Sequence, residues 1–366
     1  MHERRVAALQ ERLAEAGLAA LVLGPGANFR YFFGANLHYS ERVILAVVPA
    51  RGEPAVVVPA FEADRIGPEV APAELFRWEE SEGPAGAVAR ALARVPTGGD
   101  VALEYYGLRV IEFDLLRRAL PGRRDRDGTP WLAALRMVKD AAEVDAMTRA
   151  AAIADAALAD VRPLIGPGRR ESELREAVEQ ALLEHHSERP VGCLVASGPR
   201  SAVPHGQPGD RELAPGDAVW LDFGGRVDGY SSDLTRTFLL APVPAPLAEV
   251  YQVVERAQQM GRQGARPGLT AAAVDSLCRD AITAAGWGPE FTHRTGHGLG
   301  LEGHEHPYIV QGNDLVLTAG MTFTIEPGVY VPDLGGVRIE DDVILTATGC
   351  RSLTASPRDL AAATVG

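Results

Sequence analysis

The C-terminal third of the sequence contains two carboxylates at matching positions of a predicted β-hairpin. In MTFTIEPGVYVPDLGGVRIEDD, residues 321–342, two runs rich in Thr, Val, Ile and aromatic residues flank a Pro-Asp-Leu-Gly-Gly turn. Glu326 and Glu340 are symmetric about Asp333, the middle of that turn. Because side chains alternate between the faces of a strand, both glutamates lie on one face, which Arg338 shares.

A second stretch, AVWLDFGGRVDGYSSDLTRTFLL, repeats this arrangement with two aspartates. If its two-residue loop is 227–228, Asp222 lies directly opposite Asp233. If the loop is 228–229, Asp222 lies opposite Thr235, and Asp233 is its diagonal neighbour. Both registers place the two aspartates on one face of the hairpin.

Four carboxylates gathered in this way need positive charge. Each one taken singly could be a solvent-facing strand residue, but the paired placement inside apolar runs favours a shared site. Like charges opposite each other on a sheet repel, and burying them without partners costs several kcal/mol each. One arginine cannot balance four carboxylates, whereas divalent cations can, since hard cations prefer oxygen ligands.

A cluster of histidines lies just before the second hairpin. FTHRTGHGLGLEGHEHP contains His293, His297, His304 and His306, a cluster predicted to supply one metal ligand and several proton donors. His297 stands between glycines, where the backbone can approach a bound group closely. His205, in the turn-rich SAVPHGQPGD, is a further candidate. Four carboxylates and a neutral imidazole would neutralise two divalent ions, which together could ionise a shared water.

The elements that must position these residues form two predicted domains. Residues 1–125 alternate strand and helix patterns, with strands at LAALVLG, RVILAVVP, EPAVVVPA and VALEYY, and with helices near 84–95 and 108–120. This alternation indicates an α/β layer. The polar segment 121–130 is predicted to be a linker, and the second domain, 132–366, to begin with a long helix over 139–161.

The second domain shows a weak internal repeat. IGPGRRESELREAVEQAL and ARPGLTAAAVDSLCRDAI each place a Pro-Gly turn before an amphipathic helix, and Pro167 and Pro267 lie 100 residues apart. Each helix is followed by one of the acidic hairpins. Two α+β halves that each contribute one hairpin to a shared site would explain the parallel, although a single repeat pair could also be coincidental.

Composition restricts the partners and the compartment. The apolar share of 46% is enough for a large core, and the net charge of −13 argues against nucleic acid and membrane surfaces as partners. Cys193, Cys278 and Cys350 are far apart and lack metal-site spacing, which suits a reducing compartment. The first 17 residues predict a charged amphipathic helix rather than a signal peptide, and no apolar run reaches membrane-spanning length. We therefore expect a cytoplasmic protein.

These motifs resemble those of the pita-bread metallopeptidases, specifically the Xaa-Pro group of prolidase and aminopeptidase P. LDFGGRVDGYSSDLTRTF resembles the two-aspartate motif, THRTGHGLGLEGHEHP the histidine motif, and the stretch 321–342 the two-glutamate motif. NFRYFFGANLHYSERVILAVVP is similar to the N-terminal domain of these enzymes. The resemblance implies an α+β pita-bread catalytic domain preceded by an α/β creatinase-type domain.

The resemblance also implies a role for each candidate residue. Asp222 and His297 would each bind one of two divalent ions, usually manganese and sometimes cobalt or zinc, with Asp233 and Glu340 bridging them. Glu326 would bind one ion and handle the proton of the attacking water. The remaining implied catalytic and substrate-binding residues are His205, His293, His304, Arg338 and Tyr330. Enzymes of this group are usually homodimers that act on short proline-containing peptides.

Several related activities compete with prolidase. Methionine aminopeptidase typically lacks the N-terminal domain, and creatinase-type hydrolases and non-catalytic binding proteins lack the ligands present here. Aminopeptidase P, which releases the residue before proline from longer peptides, is harder to separate from a dipeptidase. Many prolidases carry an arginine four residues after the histidine matching His304, and this chain has Tyr308 there. Arg42, from the N-terminal domain and possibly of a partner subunit, is a hypothetical substitute for binding the substrate carboxylate.

Overall fold

The computed structural model describes residues 1–70 and 72–366, and it divides the chain into two compact units, Met1–Arg136 and Met137–Gly366. The predicted domains were 1–125 and 132–366, so the division between the units falls later in the chain than predicted. No helix within these described residues has both the length and the apolar composition of a membrane span.

The first unit contains one six-stranded mixed sheet, in the order β4-β3-β2-β1-β5-β6. Its strands are β1 Leu18–Leu23, β2 Leu45–Pro49, β3 Ala55–Pro59, β4 Glu74–Trp78, β5 Asp100–Leu103 and β6 Asp125–Asp127. The pairs β1–β2 and β2–β3 are antiparallel, and the other pairs are parallel. Because β1 to β3 are buried along their whole length, they are continuous apolar runs rather than alternating ones.

Helices complete the α/β arrangement of the first unit. They are α1 His2–Glu15, α2 Ala27–Phe33, α3 Ala63–Val70, α4 Ala85–Leu92, α5 Val110–Ala119 and α6 Thr129–Arg136. The apolar faces of α4 and α5 pack on the sheet around Val22, Val57 and Leu103. The predicted helices near 84–95 and 108–120 are confirmed.

The prediction of a linker over 121–130 is wrong. Residues Asp125–Asp127 form the edge strand β6, which pairs in parallel with β5, and α6 follows directly. All three strand residues are exposed, and the edge position explains why a strand can consist of Asp-Arg-Asp. Without buried side chains it has no apolar signal in the sequence.

The second unit contains a four-stranded sheet, β19-β11-β8-β7, and a five-stranded sheet, β13-β12-β14-β17-β18. Its strands of five or more residues are β7 Val191–Ser197, β8 Ala218–Gly224, β11 Leu234–Leu240, β13 Glu305–Ile309 and β17 Asp341–Leu345. Its shorter strands are β9 Arg226–Val227, β10 Tyr230–Ser231, β12 Gly296–Gly298, β14 Thr322–Ile325, β15 Gly328–Val331, β16 Gly335–Arg338, β18 Cys350–Ser352 and β19 Thr364–Val365.

The helices of the second unit occur in two consecutive pairs. They are α7 Ala141–Val161 and α8 Glu171–Glu184, then α9 Ala245–Gly264 and α10 Ala271–Ala284, with the short α11 Leu360–Ala363 near the end. The long helix predicted over 139–161 corresponds to α7, which Asp140 caps by accepting from the amides of Ala142 and Glu143.

The two Pro-Gly turns of the weak repeat make equivalent contacts. The amide of Gly168 donates to Leu213 O (2.8 Å), and the amide of Gly268 donates to Leu317 O (2.9 Å). Helix α8 follows the first turn and α10 the second, and each turn is thereby tied to a segment that follows its helix in the chain. This shared contact pattern supports the interpretation of two related halves.

Candidate metal centre

The first acidic hairpin adopts the second of the two predicted registers. Tyr230 pairs with Val227, so the loop is Asp228-Gly229, and Asp222 lies opposite Thr235 in the β8–β11 ladder. Asp233 lies just before β11, diagonal to Asp222. The two aspartates therefore face the same side of the hairpin, as both registers required.

The second hairpin is symmetric about Asp333, as predicted. The β15–β16 ladder pairs Gly328 with Arg338, and the β14–β17 ladder pairs Thr324 with Asp342. Glu326 and Glu340 lie in the gap between these ladders, at positions that continue the same register. Both carboxylates therefore lie where the backbone hydrogen bonding between the two strands of the hairpin is interrupted.

His297 is the middle residue of the short strand β12, between β13 and β14. The flanking glycines are required by neighbouring backbone rather than by a bound group. A Cβ on Gly296 would lie 1.9 Å from Thr324 O, and one on Gly298 would lie 2.2 Å from His306 O. The prediction that these glycines allow close approach of a bound group is therefore replaced by strand packing.

The five predicted ligands come together in the second unit. Ligand atoms of Asp222, Asp233 and Glu340 lie within 4.8 Å of one another, and so do those of His297, Glu326 and Glu340. A third group joins Asp233 and His297 with the exposed His304. Glu340 is common to the first two groups, which is the arrangement expected of a residue shared between two ions.

The tautomer of His297 leaves a lone pair pointing at the acids. Its Nδ1 lies 3.1 Å from Gly298 O, and because a carbonyl can only accept, Nδ1 carries the proton. Nε2 then lies 3.2 Å from Glu326 Oε1 and 3.9 Å from Asp233 Oδ2. Two acceptors this close need a proton or a cation between them, which makes His297 Nε2 suited to binding a metal ion.

Asp233 and Glu340 are carboxylates without a fixed cation. Glu340 is 2% exposed and accepts from the Thr235 hydroxyl, and no lysine or arginine of the described residues forms an ion pair with either acid. Burial, together with the neighbouring carboxylates, raises the pKa of both groups well above its usual range. Acids held in this way are stabilised in their charged form when a cation enters the site.

The pKa of Glu326 shifts in the opposite direction, because this carboxylate faces the histidines. Burial opposes its ionisation, but a hydrogen bond from His297 when Nε2 of that ring is protonated, and the positive charges of Arg338 and of His297 and His293 in their protonated forms, lower its pKa to about 2. Thr324 Oγ1 donates to Glu326 (3.1 Å) and accepts from the amide of His297 (3.0 Å), which fixes the two side chains relative to each other.

A chain of hydrogen bonds runs from His293 to Asp222. His293 Nδ1 donates to Arg294 O, so its Nε2 accepts from the Tyr330 hydroxyl at 2.9 Å. Arg338 Nη1 donates to that hydroxyl (2.8 Å), and Arg338 Nη2 donates to Asp222 Oδ2 (2.6 Å). Burial lowers the pKa of His293 and raises that of Tyr330 to about 12.

His304 and His205 are exposed members of the same neighbourhood. The His304 ring lies 3.8 Å from that of His297. Partial burial of the ring, with the charges of His297 and Arg294, lowers the pKa of His304 to about 4. The charge of His205 also acts on His293 and His304. His306 packs against Tyr308 instead, with ring centroids 4.6 Å apart.

Arg42 lies in the first unit, where it has its own partners. Its Nε donates to Glu80 at 2.5 Å, and it also pairs with Glu41. Its side chain is 32% exposed and covers the Phe61 ring at 5.0 Å. Its proposed contact with substrate stays a prediction.

Two residues of the site were absent from the predicted set. Thr235 accepts from Arg338 Nε (3.1 Å) and donates to Glu340, and Asp342 Oδ2 accepts from the amide of Asp233 (3.0 Å). Asp342 Oδ1 is buried and has no hydrogen-bond partner among the described residues. Period-two alternation from Glu340 would have found Asp342, and one predicted register already placed Thr235 opposite Asp222.

The donor set fits a pair of divalent cations. It offers carboxylate oxygens from two hairpins, one imidazole Nε2 whose ring carries its proton on Nδ1, and two buried acids, Asp233 and Glu340, with which no lysine or arginine of the described residues forms an ion pair. Hard divalent ions prefer such oxygen-rich sets with a single imidazole. Asp222, Asp233 and Glu326 remain 19%, 16% and 13% exposed, so small molecules can reach the cluster.

Comparison with known sequences gives two domain matches. Metallopeptidase family M24 matches residues 145–347, and the Creatinase/Prolidase N-terminal domain matches residues 5–138. The first match contains all five predicted ligands. The second match covers the six-stranded sheet of the first unit.

Individual relatives match over almost their whole length. The chain is 40% identical over 366 residues to the probable dipeptidase PepE of Mycobacterium tuberculosis, covering 98% of this chain and 96% of that protein. It is 33% identical to an Xaa-Pro dipeptidase of Lactobacillus helveticus, covering 96% and 97%. A prolidase structure from Thermococcus sibiricus superposes with a TM-score of 0.93 at 32% identity, covering 100% of this chain and 99% of that one.

Proposed function

The chain belongs to metallopeptidase family M24, and from that premise we propose that it is an Xaa-Pro dipeptidase, a dinuclear-metal hydrolase that cleaves the bond before proline in short peptides. The observation that carries the proposal is the convergence of Asp222, Asp233, His297, Glu326 and Glu340 on one partly exposed cluster. Dipeptidase and prolidase relatives that align over nearly the full chain support it. We further propose manganese as the metal, a homodimeric assembly and a cytoplasmic location.

The proposed chemistry suits a peptide bond to proline. That bond is a tertiary amide without an N–H, so a peptidase cannot recognise it through that donor. When bound by the five ligands, two divalent ions would lower the pKa of water and polarise the scissile carbonyl. Glu326, at the edge of the cluster, would accept the proton of the attacking water and pass it to the leaving nitrogen.

The neighbouring residues would orient the substrate and the acids. His293 and His304 would hold the carbonyl oxygen as it becomes negatively charged. Arg338 would hold Asp222 directly and Glu340 through Thr235, because it donates to both Asp222 and Thr235. Tyr330, whose hydroxyl lies between His293 and Arg338, would line the substrate pocket.

A second candidate activity is aminopeptidase P. The presence of Tyr308 at the position where many prolidases carry arginine favours it, because a dipeptidase must bind the free carboxylate of proline. The two activities differ in whether the chain may continue beyond proline.

The test offers Ala-Pro, Ala-Pro-Ala and Ala-Ala side by side to the purified protein with manganese. The proposal predicts that Ala-Pro is hydrolysed, that Ala-Ala is not, and that chelation abolishes activity until manganese is restored. Preference for Ala-Pro-Ala would favour aminopeptidase P. Failure to hydrolyse either proline peptide, in protein shown by metal analysis to contain manganese, would refute the proposed function.

A further inference from the structure

A dipeptide substrate carries a free carboxylate very close to the bond that is cut. Two bonds, N–Cα and Cα–C, separate the scissile nitrogen from the carboxylate carbon, a span of about 2.5 Å. The residue that binds this carboxylate must therefore lie about one side chain away from the groups at the scissile bond. It should also carry positive charge that no acid of the protein already neutralises.

Arg294 meets both conditions. Its Nη2 lies 3.3 Å from His304 Nδ1, and the His304 ring lies 3.8 Å from that of His297. Its guanidinium covers the Tyr308 ring, 4.4 Å from the ring centroid. Among the described residues no carboxylate forms an ion pair with Arg294, and its side chain is only partly buried.

The stacking on Tyr308 gives the guanidinium a defined place. A planar guanidinium on an aromatic face keeps its N–H bonds directed outward in its own plane, and those that do not contact His304 can donate to a carboxylate. Tyr308 follows His304 by four residues, the position at which many prolidases carry an arginine. This chain has a tyrosine at that position, and the guanidinium of Arg294, a residue just before β12, stacks on the tyrosine ring.

The geometry points to Arg294 as the residue that binds the free C-terminal carboxylate of the substrate, with Tyr308 positioning it. This inference rests on the proposed function and specifies its substrate class: dipeptides with an unblocked C terminus.

The other arginines considered for this role are already engaged. Arg338 donates to Asp222, Tyr330 and Thr235 and is 3% exposed, so it cannot turn toward substrate without breaking these hydrogen bonds. Arg42 is paired with Glu80 and Glu41 in the first unit.

The test compares Arg294→Gln with the wild type on Ala-Pro and on Ala-Pro amide, which lacks the carboxylate. Loss of a charge-assisted hydrogen bond should raise KM for Ala-Pro about 10- to 100-fold. KM for the amide should stay within about twofold, because its neutral end makes no ion pair. Arg294→Lys should fall between the two on Ala-Pro, since it keeps the charge and loses the planar fork. Calorimetric binding of proline and of prolinamide to the manganese-loaded protein gives the same comparison without catalysis.

Arg351→Gln is the matched control, because Arg351 is an exposed arginine on β18 of the same unit. It should leave both KM values unchanged. Equal effects of Arg294→Gln on the acid and the amide, or no effect on either, would overturn the inference, and so would a selective loss in Arg42→Gln alone. If the wild type cleaves neither Ala-Pro nor Ala-Pro-Ala, the proposed function is refuted instead. Near-UV circular dichroism confirms that each variant is folded.

Discussion

Replacing Asp341 with asparagine should destabilise the second unit more than most single substitutions do. Asp341 is 0% exposed and is surrounded by donors. Its Oδ1 accepts from Arg236 Nη2 (2.8 Å) and Thr354 Oγ1 (2.8 Å), and its Oδ2 accepts from Gln258 Nε2 (2.6 Å). Arg358 also donates to this carboxylate.

The size of the effect follows from the charge that would be left behind. The Arg236 side chain is 2% exposed, so without Asp341 a guanidinium would remain buried and uncompensated. Breaking a buried ion pair from one side costs about 3–5 kcal/mol. For a unit of this size, each kcal/mol shifts Tm by roughly 2–4 °C, which gives a fall of about 6–20 °C.

Urea unfolding of the metal-free protein, followed by tryptophan fluorescence, measures the change in the free energy of unfolding. The fully buried Trp220 reports on the second unit. A double-mutant cycle tests the cause. Arg236→Met alone should also destabilise, but the double variant should cost at least 1 kcal/mol less than the sum of the two. Asp314→Asn, at an exposed acid, should stay within about 0.5 kcal/mol. A cost below about 1 kcal/mol for Asp341→Asn, or strict additivity with Arg236→Met, would refute the charge argument.

Three further predictions concern metal, packing and thiols. Manganese should raise Tm of the wild type, as any ligand that binds only the folded state does, and Glu340→Gln should abolish most of that rise in a thermal scan. Gly296→Ala should abolish activity and lower Tm, because its Cβ would lie 1.9 Å from Thr324 O, whereas Gly303→Ala, with open space around it, should match the wild type. Burial raises the pKa of Cys278 to about 12, so its thiol should stay protonated at pH 8 and resist iodoacetamide in the folded protein. Mass spectrometry should show alkylation of Cys278 only after unfolding, and rapid labelling of the native protein would contradict the pKa argument.

The acidic hairpins could be predicted from the sequence because their information is local. Turn residues fix the register of a short hairpin, and period-two alternation then fixes the faces. Glu326 and Glu340 were therefore placed by symmetry about Asp333, and the structure keeps that symmetry through two separate ladders. The register of the aspartate hairpin stayed open because loops 227–228 and 228–229 were equally acceptable from the sequence. In the folded sheet, β8 pairs with β7 on one side and with β11 on the other, and the β8–β11 pairing has the second register.

Features that depend on distant segments could not be predicted. Asp341 meets Gln258 of α9 and Arg358 of the C-terminal segment, partners that no local pattern connects to it. The strand β6 has no apolar residues, so its pairing with β5 is invisible in the sequence. Arg294 gives no signal by itself, because the role proposed for it depends on its stacking on Tyr308 of β13, which is 14 residues later in the chain.

Strand β17 and the residue before it support the proposal that the cluster is a binding site rather than a polar part of the core. Asp341 and Glu340 are adjacent and equally buried, yet the chain treats them in opposite ways. Fixed arginines neutralise Asp341 and lower its pKa to about 2 against the effect of burial, whereas Glu340 accepts from a threonine hydroxyl, and its burial and three neighbouring carboxylates outweigh the charge of Arg338 and raise its pKa. If the fold needed both acids only for stability, arginine would serve on both faces, as it does behind the strand. On the face that holds Glu340, Arg338 donates to Asp222, but no lysine or arginine of the described residues forms an ion pair with Glu340 or Asp233, so we propose that ions from solution balance their charge.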